Sequence, residues 1–189
     1  MSEPAKVRVI RADNPSALTG PGTNTFLLGR ASIAVIDPGP DLPAHRAAIL
    51  AAAGPGRISH ILVTHAHLDH SGGARALAQA TGAPILGFGP PEAGRSALMQ
   101  RLARDGGLEG GEGLDHGFNP DIRLTDGQSV ETDEWVLTAL HTPGHRPEHT
   151  VFTLAETRRL QIGALAQSAI ILQIPAHDVP FPINSLKQL

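Results

Sequence analysis

Cysteine is absent from the chain. That excludes disulfides, iron–sulfur clusters and thiolate metal sites, so any metal must be held by His, Asp, Glu or backbone oxygen. Long apolar runs are absent too, and no stretch approaches the roughly 20 residues of a membrane-spanning helix. The opening segment MSEPAKVRVIRADNP carries charges and lacks the apolar core of a signal peptide. A cytoplasmic protein with no membrane partner is the resulting expectation. Nor is there an excess of positive charge. A net charge of −3 and a pI of about 6.3 give no electrostatic footprint for nucleic acid, which is not expected as a partner.

The remaining composition is that of a globular protein, with 41% hydrophobic and 17% charged residues. No internal repeat or low-complexity linker divides the chain. A single domain over residues 1–189 is expected, long enough to bury a real core.

The first segments alternate between strand and helix signals. KVRVIRA (6–12) alternates like a strand, and TFLLGR and SIAVIDPG read as two strands joined by a Gly-Arg-Ala turn, a hairpin. DLPAHRAAILAAAG (41–54) reads as a helix, with Asp41 near its start, Pro43 in the first turn and Gly54 as its stop. RISHILVTH (57–65) is apolar without polar alternation, the pattern of a strand buried on both faces. GGARALAQATG (72–82) suggests a short helix and APILGFG a further strand, giving an α/β order. Residues 89–120 are less regular: EAGRSALMQRLARDGG reads as a helix and LEGGEGLDHGFNP as a Gly-rich loop. Strand signals return at IRLTDGQSV, with Asp-Gly as a turn, and at EWVLTALH, TVFTL and SAIILQI.

Chemistry is concentrated in ILVTHAHLDHSGG (61–73), where His65, His67, Asp69 and His70 fall within six positions. Three of the ten histidines lie here and three more at 141, 145 and 149, which argues against random scatter. An extended chain places His65 and His67 on one side. Asp69 and His70 sit at the turn into the next helix, and the end of a buried parallel strand is where α/β folds place ligand sites. Four ligating side chains so close together can converge on one or two cations.

At this point the sequence resembles a known family. THAHLDH has the T-H-x-H-x-D-H form of the metallo-β-lactamase fold superfamily of metal-dependent hydrolases. GTNTFLLG, AVIDPGP, ILVTHAHLDHSGGA, TGAPILGF and HTPGHRPEHTVFTL follow in that superfamily's order. The resemblance spans residues 7 to 160. It looks most like the branch containing β-lactamase-like protein 2, near the glyoxalase II-type hydrolases. It implies a four-layer αβ/βα sandwich with the site at the edge between two sheets. It also implies that His65, His67 and His145 bind one metal, and that Asp69 and His70 belong to a second. Such metals activate a water as hydroxide and polarise a carbonyl or phosphoryl oxygen. Asp69 is then a candidate general base or acid. Zinc is the expected ion, one or two per chain, with iron and manganese left open. The expected substrate is a small ester, thioester, lactone or phosphoester.

Other positions carry two readings each. Asp37 in VIDPGP resembles the family's aspartate beneath the metals, and is equally a turn-forming Asp before Pro. His149 reads as pocket lining, and His141 as part of the loop alone. No chemistry is expected of His45, His60 or His116.

The resemblance then breaks. Where the family supplies a small-Gly-Asp turn whose aspartate bridges two metals, this chain has QIGALAQ, with Gly163 followed by Ala164. A methyl group cannot ligate, so the second metal should bind more weakly. In IPAHDVPFP, His177 is either a replacement ligand for that metal, with Asp178 as an accessory, or an accidental match. The divergent tail, 161–189, lacks the elements that complete the second half of the sandwich. An unfinished sheet exposes an edge and an apolar face, so a homodimer or higher oligomer is expected, with exchanged C-terminal segments as one form. The competing expectation is a catalytically weak metal-binding remnant or oligomeric binding module.

Overall fold

TFLLGRASIAVI folds as a hairpin because both of its strands are apolar on both faces and a glycine permits the turn. β2 (Asn24–Leu28) and β3 (Ser32–Ile36) pair antiparallel, with Phe26 opposite Ile36. Gly29 has φ +103, and a Cβ there would lie 2.2 Å from the Ser32 carbonyl oxygen and 2.9 Å from Trp135 Nε1, so only glycine fits. In this computed structural model, residues 7–105 and 113–154 are described in full, together with the backbone of 160–165 and 168–173.

The remaining elements are β1 (Val7–Arg11), α1 (Pro43–Ala53), β4 (Arg57–Leu62), α2 (Leu68–Ser71), α3 (Ala74–Thr81), β5 (Ile85–Gly87) and α4 (Ala97–Arg104). β6 (Ile122–Arg123), β7 (Ser129–Glu131), β8 (Val136–His141), β9 (Thr150–Leu154), β10 (Leu160–Leu165) and β11 (Ser168–Gln173) follow. One sheet has the order β1-β2-β3-β4-β5-β6 and the other β11-β10-β9-β8-β7. In the first sheet β3, β4, β5 and β6 run parallel, while β1 and β2 are antiparallel additions. The second sheet is antiparallel throughout.

Period-two alternation divides the core into two layers. Leu27, Ile33, Val35, Ile58 and Ile61 pack with Ile49 and Ala53 of α1 and Ala74 and Leu77 of α3. Phe26, Leu28, Ala34, Ile36 and Leu62 point the other way, onto Trp135, Leu137, Ala139, Phe152 and Leu154. The first sheet is therefore buried on both faces. β8 and β9 alternate buried with half-buried residues. The helices that bury apolar side chains do so against the first sheet, so the described residues supply three of the four layers. No helix among them is long and apolar enough to cross a membrane.

Two contacts fasten the sheets at the hairpin turn. Glu134 accepts the backbone N–H groups of Arg30, Ala31 and Ser32 at 2.8–3.2 Å, and Trp135 Nε1 donates to the Ser32 carbonyl at 2.7 Å. The Glu134 carboxyl is held below the usual range by the backbone N–H donors, chiefly that of Arg30.

One expectation needs correction. The strand from Arg57 ends at Leu62 rather than His65, and the chain bends through Thr64 and His65. Asp41 lies just before α1 as expected; Leu42 occupies the cap position without a side-chain bond, and Asp41 pairs with Arg46 at 2.9 Å. The expected Asp126-Gly127 turn joins β6 and β7, which lie in different sheets, so IRLTDGQSV crosses the sandwich.

Candidate metal centre

The centre forms where the carboxyl ends of β3 and β4 meet the loop between β8 and β9. Two hydrogen bonds seat that loop. Thr150 N–H donates to the Thr64 carbonyl at 2.9 Å, and Ala66 N–H donates to Glu148 Oε1 at 3.1 Å. A third fastening comes from residues 113–118, where Ser71 Oγ donates to Asp115 Oδ2 at 2.8 Å and Leu68 N–H to the Gly113 carbonyl.

His65 and His145, eighty positions apart, are brought to the same point. His65 Nε2 and His145 Nε2 each lie 3.1 Å from His67 Nδ1, and the ligand atoms of the three are all within 4.8 Å of one another. Two imidazole nitrogens bound tetrahedrally at about 2.0–2.1 Å stand roughly 3.3 Å apart, so these spacings fit one ion. His65 is buried, His67 half-buried and His145 exposed, which leaves the centre open on the side of the β8–β9 loop.

One carboxylate sets the protons of two imidazoles. Asp37, fully buried, accepts Thr64 N–H at Oδ1, and Thr64 O–H and His70 Nδ1–H at Oδ2, all at 2.8 Å. Thr64 has one hydroxyl proton, already given to Asp37. The 3.0 Å contact between Thr64 Oγ1 and His65 Nδ1 therefore has His65 as donor. His65 Nε2 is left as a bare lone pair facing His67. Asp37 also has φ 51, a left-handed conformation that Asp tolerates. Its carbonyl accepts Thr25 O–H at 2.7 Å, and Thr25 Oγ1 is 2.8 Å from His45 Nε2. Asp37 therefore lies beneath the centre, at the residue that follows β3. His45 helps to hold its backbone.

His70 and Asp69 stand beside the first group. His70 Nε2 is 3.3 Å from Asp69 Oδ2, and Thr23 Oγ1 donates to the same oxygen at 3.2 Å. Burial alone would lower the His70 pKa, but Asp37 and Asp69 together raise it to about 10. Burial pushes the other rings down, His67 to about 4 with His145 adding to the effect, and His65 and His145 also fall. Burial would raise Asp69, but its bonds to His70 and Thr23 hold it below the usual carboxylate range. Three neutral imidazoles thus face one another beside an ionised carboxylate, and a cation suits that donor set.

His149 is buried against His65, ring centroids 5.5 Å apart, with Nδ1 bonded to Thr142 Oγ1 at 2.8 Å. Its Nε2 has no partner among the described residues, and burial lowers its pKa to about 4 despite the counter-effect of Asp37. His141 stacks on Phe88 at 3.8 Å and bonds the Pro147 carbonyl, holding the loop. His60 packs edge-on to Trp135, and His116 is exposed. Ala164 lies in β10 opposite Ala169. His177 and Asp178 fall outside the described residues. Sequence reasoning missed Thr64, Thr23 and Glu148, although each lies inside a segment with motif character.

Residues 18–188 match the family described as the Metallo-beta-lactamase superfamily. Over 119 residues the chain is 38% identical to a hydroxyacylglutathione hydrolase of Pseudomonas aeruginosa, covering 63% of this chain and 36% of that protein. It is 30% identical over 153 residues to the thioesterase pkgB of Emericella nidulans, covering 79% and 37%. A solved metallo-beta-lactamase of Cronobacter sakazakii superposes with a TM-score of 0.52 at 28% identity, over 70% of this chain and 51% of that one. The chain thus spans less than half the length of these curated relatives and about half of the solved one. With this match across most of its residues, and with two sheets that meet at a histidine cluster, the chain belongs to the metallo-beta-lactamase superfamily.

Proposed function

We propose that the chain carries a metal-dependent hydrolytic centre acting on a small thioester or ester, with lactones and phosphoesters as the wider substrate class. One observation carries the reading: the three ring nitrogens of His65, His67 and His145 converge within 4.8 Å and the centre opens towards solvent. The acyl preference follows relatives named as a hydroxyacylglutathione hydrolase and a thioesterase.

Zinc is the ion we propose, one or two per chain, because mixed imidazole and carboxylate donors suit it; iron and manganese share that preference. When bound, such an ion acidifies a water and polarises an acyl carbonyl. His65, His67 and His145 would hold the first, and Asp69 with His70 a second. Through Thr64, Asp37 keeps His65 in the tautomer that leaves Nε2 free, and it holds the Nδ1 proton of His70. Asp69, ionised at neutral pH, accepts the proton of the attacking water at a carboxylate oxygen. His149 lines the pocket wall behind His65.

Ala164 favours a second reading, a catalytically weak metal-binding module, because its methyl group supplies no ligand where the family has an aspartate. Hydrolysis of thioesters and chromogenic esters, with and without chelator, separates the two. Turnover abolished by chelator and by His67→Ala is expected. Chelator-insensitive turnover contradicts the hydrolase, and metal uptake without turnover supports the weak module. We also propose a homodimer, paired along β11, the terminal strand of the second sheet among the described residues. A monodisperse monomer in light scattering would exclude it.

A further inference from the structure

Asp69 sits on a four-residue helix and keeps about a third of its side-chain surface exposed, and within that helix His70 Nε2 reaches its Oδ2 at 3.3 Å. A separate arm of the chain reaches it. Ala12 N–H donates to the Thr23 carbonyl at 2.8 Å, bringing residues 12–14 against 22–23. Gly22, at φ +124, makes that approach possible, since a Cβ there would lie 2.0 Å from the Ala12 carbonyl oxygen.

Within the arm, the direction of every proton follows from the partners. Thr23 N–H lies 2.9 Å from one end of the Asn14 amide, and a donor must face the amide oxygen. The other end, 3.1 Å from Thr23 Oγ1, is therefore the amide nitrogen, and it donates. Thr23 Oγ1 accepts that bond and has one proton left to give. The remaining partner is Asp69 Oδ2 at 3.2 Å. Thr23 is buried, so solvent does not compete for the hydroxyl.

We infer that Thr23, with its hydroxyl aimed by Asn14, is a positioning residue that fixes the Asp69 carboxylate for the second metal. Asn14 and Thr23 touch none of the first three imidazoles, so their effect is confined to the second binding step. The inference rests on the metal-binding reading above. Outer contacts of this kind are worth roughly 10–100-fold in metal affinity.

The test uses the full chain as wild type, Thr23→Val, Thr23→Ser and Asn14→Ala. Zinc and cobalt affinities are measured by chelator competition, and the visible spectrum of cobalt reports the second ion's surroundings. Thr23→Val is expected to weaken the second binding step about 10–100-fold with the first unchanged. Thr23→Ser should restore it, and Asn14→Ala, which leaves the hydroxyl in place but free to rotate, should give a smaller loss. Wild-type second-step affinity in Thr23→Val, or equal losses in the Val and Ser variants, overturns the inference. So does a wild type that binds one metal only. A wild type that binds no metal overturns the functional reading as well, so the two failures are told apart. If Thr23→Val does not fold, Asn14→Ala decides: an unchanged second step overturns the inference, and a selective loss supports it.

Discussion

Asp37→Asn changes one atom and should misdirect two imidazoles. The amide nitrogen must replace either Oδ1 or Oδ2. At Oδ1 it would face the Thr64 backbone N–H, a donor that cannot turn away. At Oδ2 it faces Thr64 O–H and His70 Nδ1–H, and both can adjust. The Thr64 hydroxyl rotates to accept from the amide and donates to His65 Nδ1. His70 Nδ1 likewise becomes an acceptor. Both rings then carry their proton on Nε2, the atom that faces the centre. Asn tolerates φ 51, so backbone strain is not the cause of any loss. Each misdirected imidazole should cost about 10–100-fold in affinity, so both metals weaken. Replacing a carboxylate acceptor removes charge-assisted bonds worth about 1.5–3 kcal/mol, partly offset by the charge no longer buried. Chelator competition measures the affinities, and nitrogen-15 shifts of the imidazoles report the tautomers. Wild-type affinity, or unchanged tautomers in a folded Asp37→Asn protein, would show that Asp37 does not orient these imidazoles.

The remaining predictions concern stability. His149 has a folded pKa of about 4 against an ordinary 6.5, lowered chiefly by burial. A lowered histidine stabilises the fold above its unfolded value and loses that contribution as pH falls, so between pH 6.5 and 4.5 the chelated protein should lose roughly 2–3 kcal/mol from this group. His70, raised to about 10, acts oppositely: its contribution is full below 6.5 and fades as pH rises through 10. Denaturant midpoints at pH 7 and 4.5 check the acid limb, and equal midpoints would count against buried neutral histidines. Leu137 is fully buried between the sheets, so Leu137→Ala should cost about 2–5 kcal/mol in denaturant unfolding. A loss below 1 kcal/mol would mean the two sheets do not share that core.

Much of the first sheet was legible because its strands are short apolar runs punctuated by glycine and proline. Phe26 and Leu28 alternate with Leu27, and Ile33 and Val35 with Ala34, which is the signature of a sheet covered on both sides. The strand before His65 looked too long because Val63 and Thr64 are as apolar or β-branched as their predecessors. The bend comes from hydrogen bonds to Asp37 and Thr150, which no local pattern carries. The Asp-Gly turn of IRLTDGQSV was legible but its crossing between sheets was not, since a turn fixes direction but not which sheet receives the next strand. The histidine cluster was plain in the sequence. The role of Asp37 was not, because a turn-forming aspartate and one that orients His70 have the same neighbours in the chain. Thr23 and Asn14 lay hidden for a similar reason: their partner, Asp69, is 46 positions from Thr23 and is reached only once the sheet is assembled.

His65, His67 and His145 are proposed to hold a metal ion. The decisive measurement is metal content per chain, by elemental analysis of the purified wild type and of His67→Ala. At least one metal per chain is expected in the wild type, and its loss in the variant. No metal in the wild type, with none taken up on adding zinc, would contradict it.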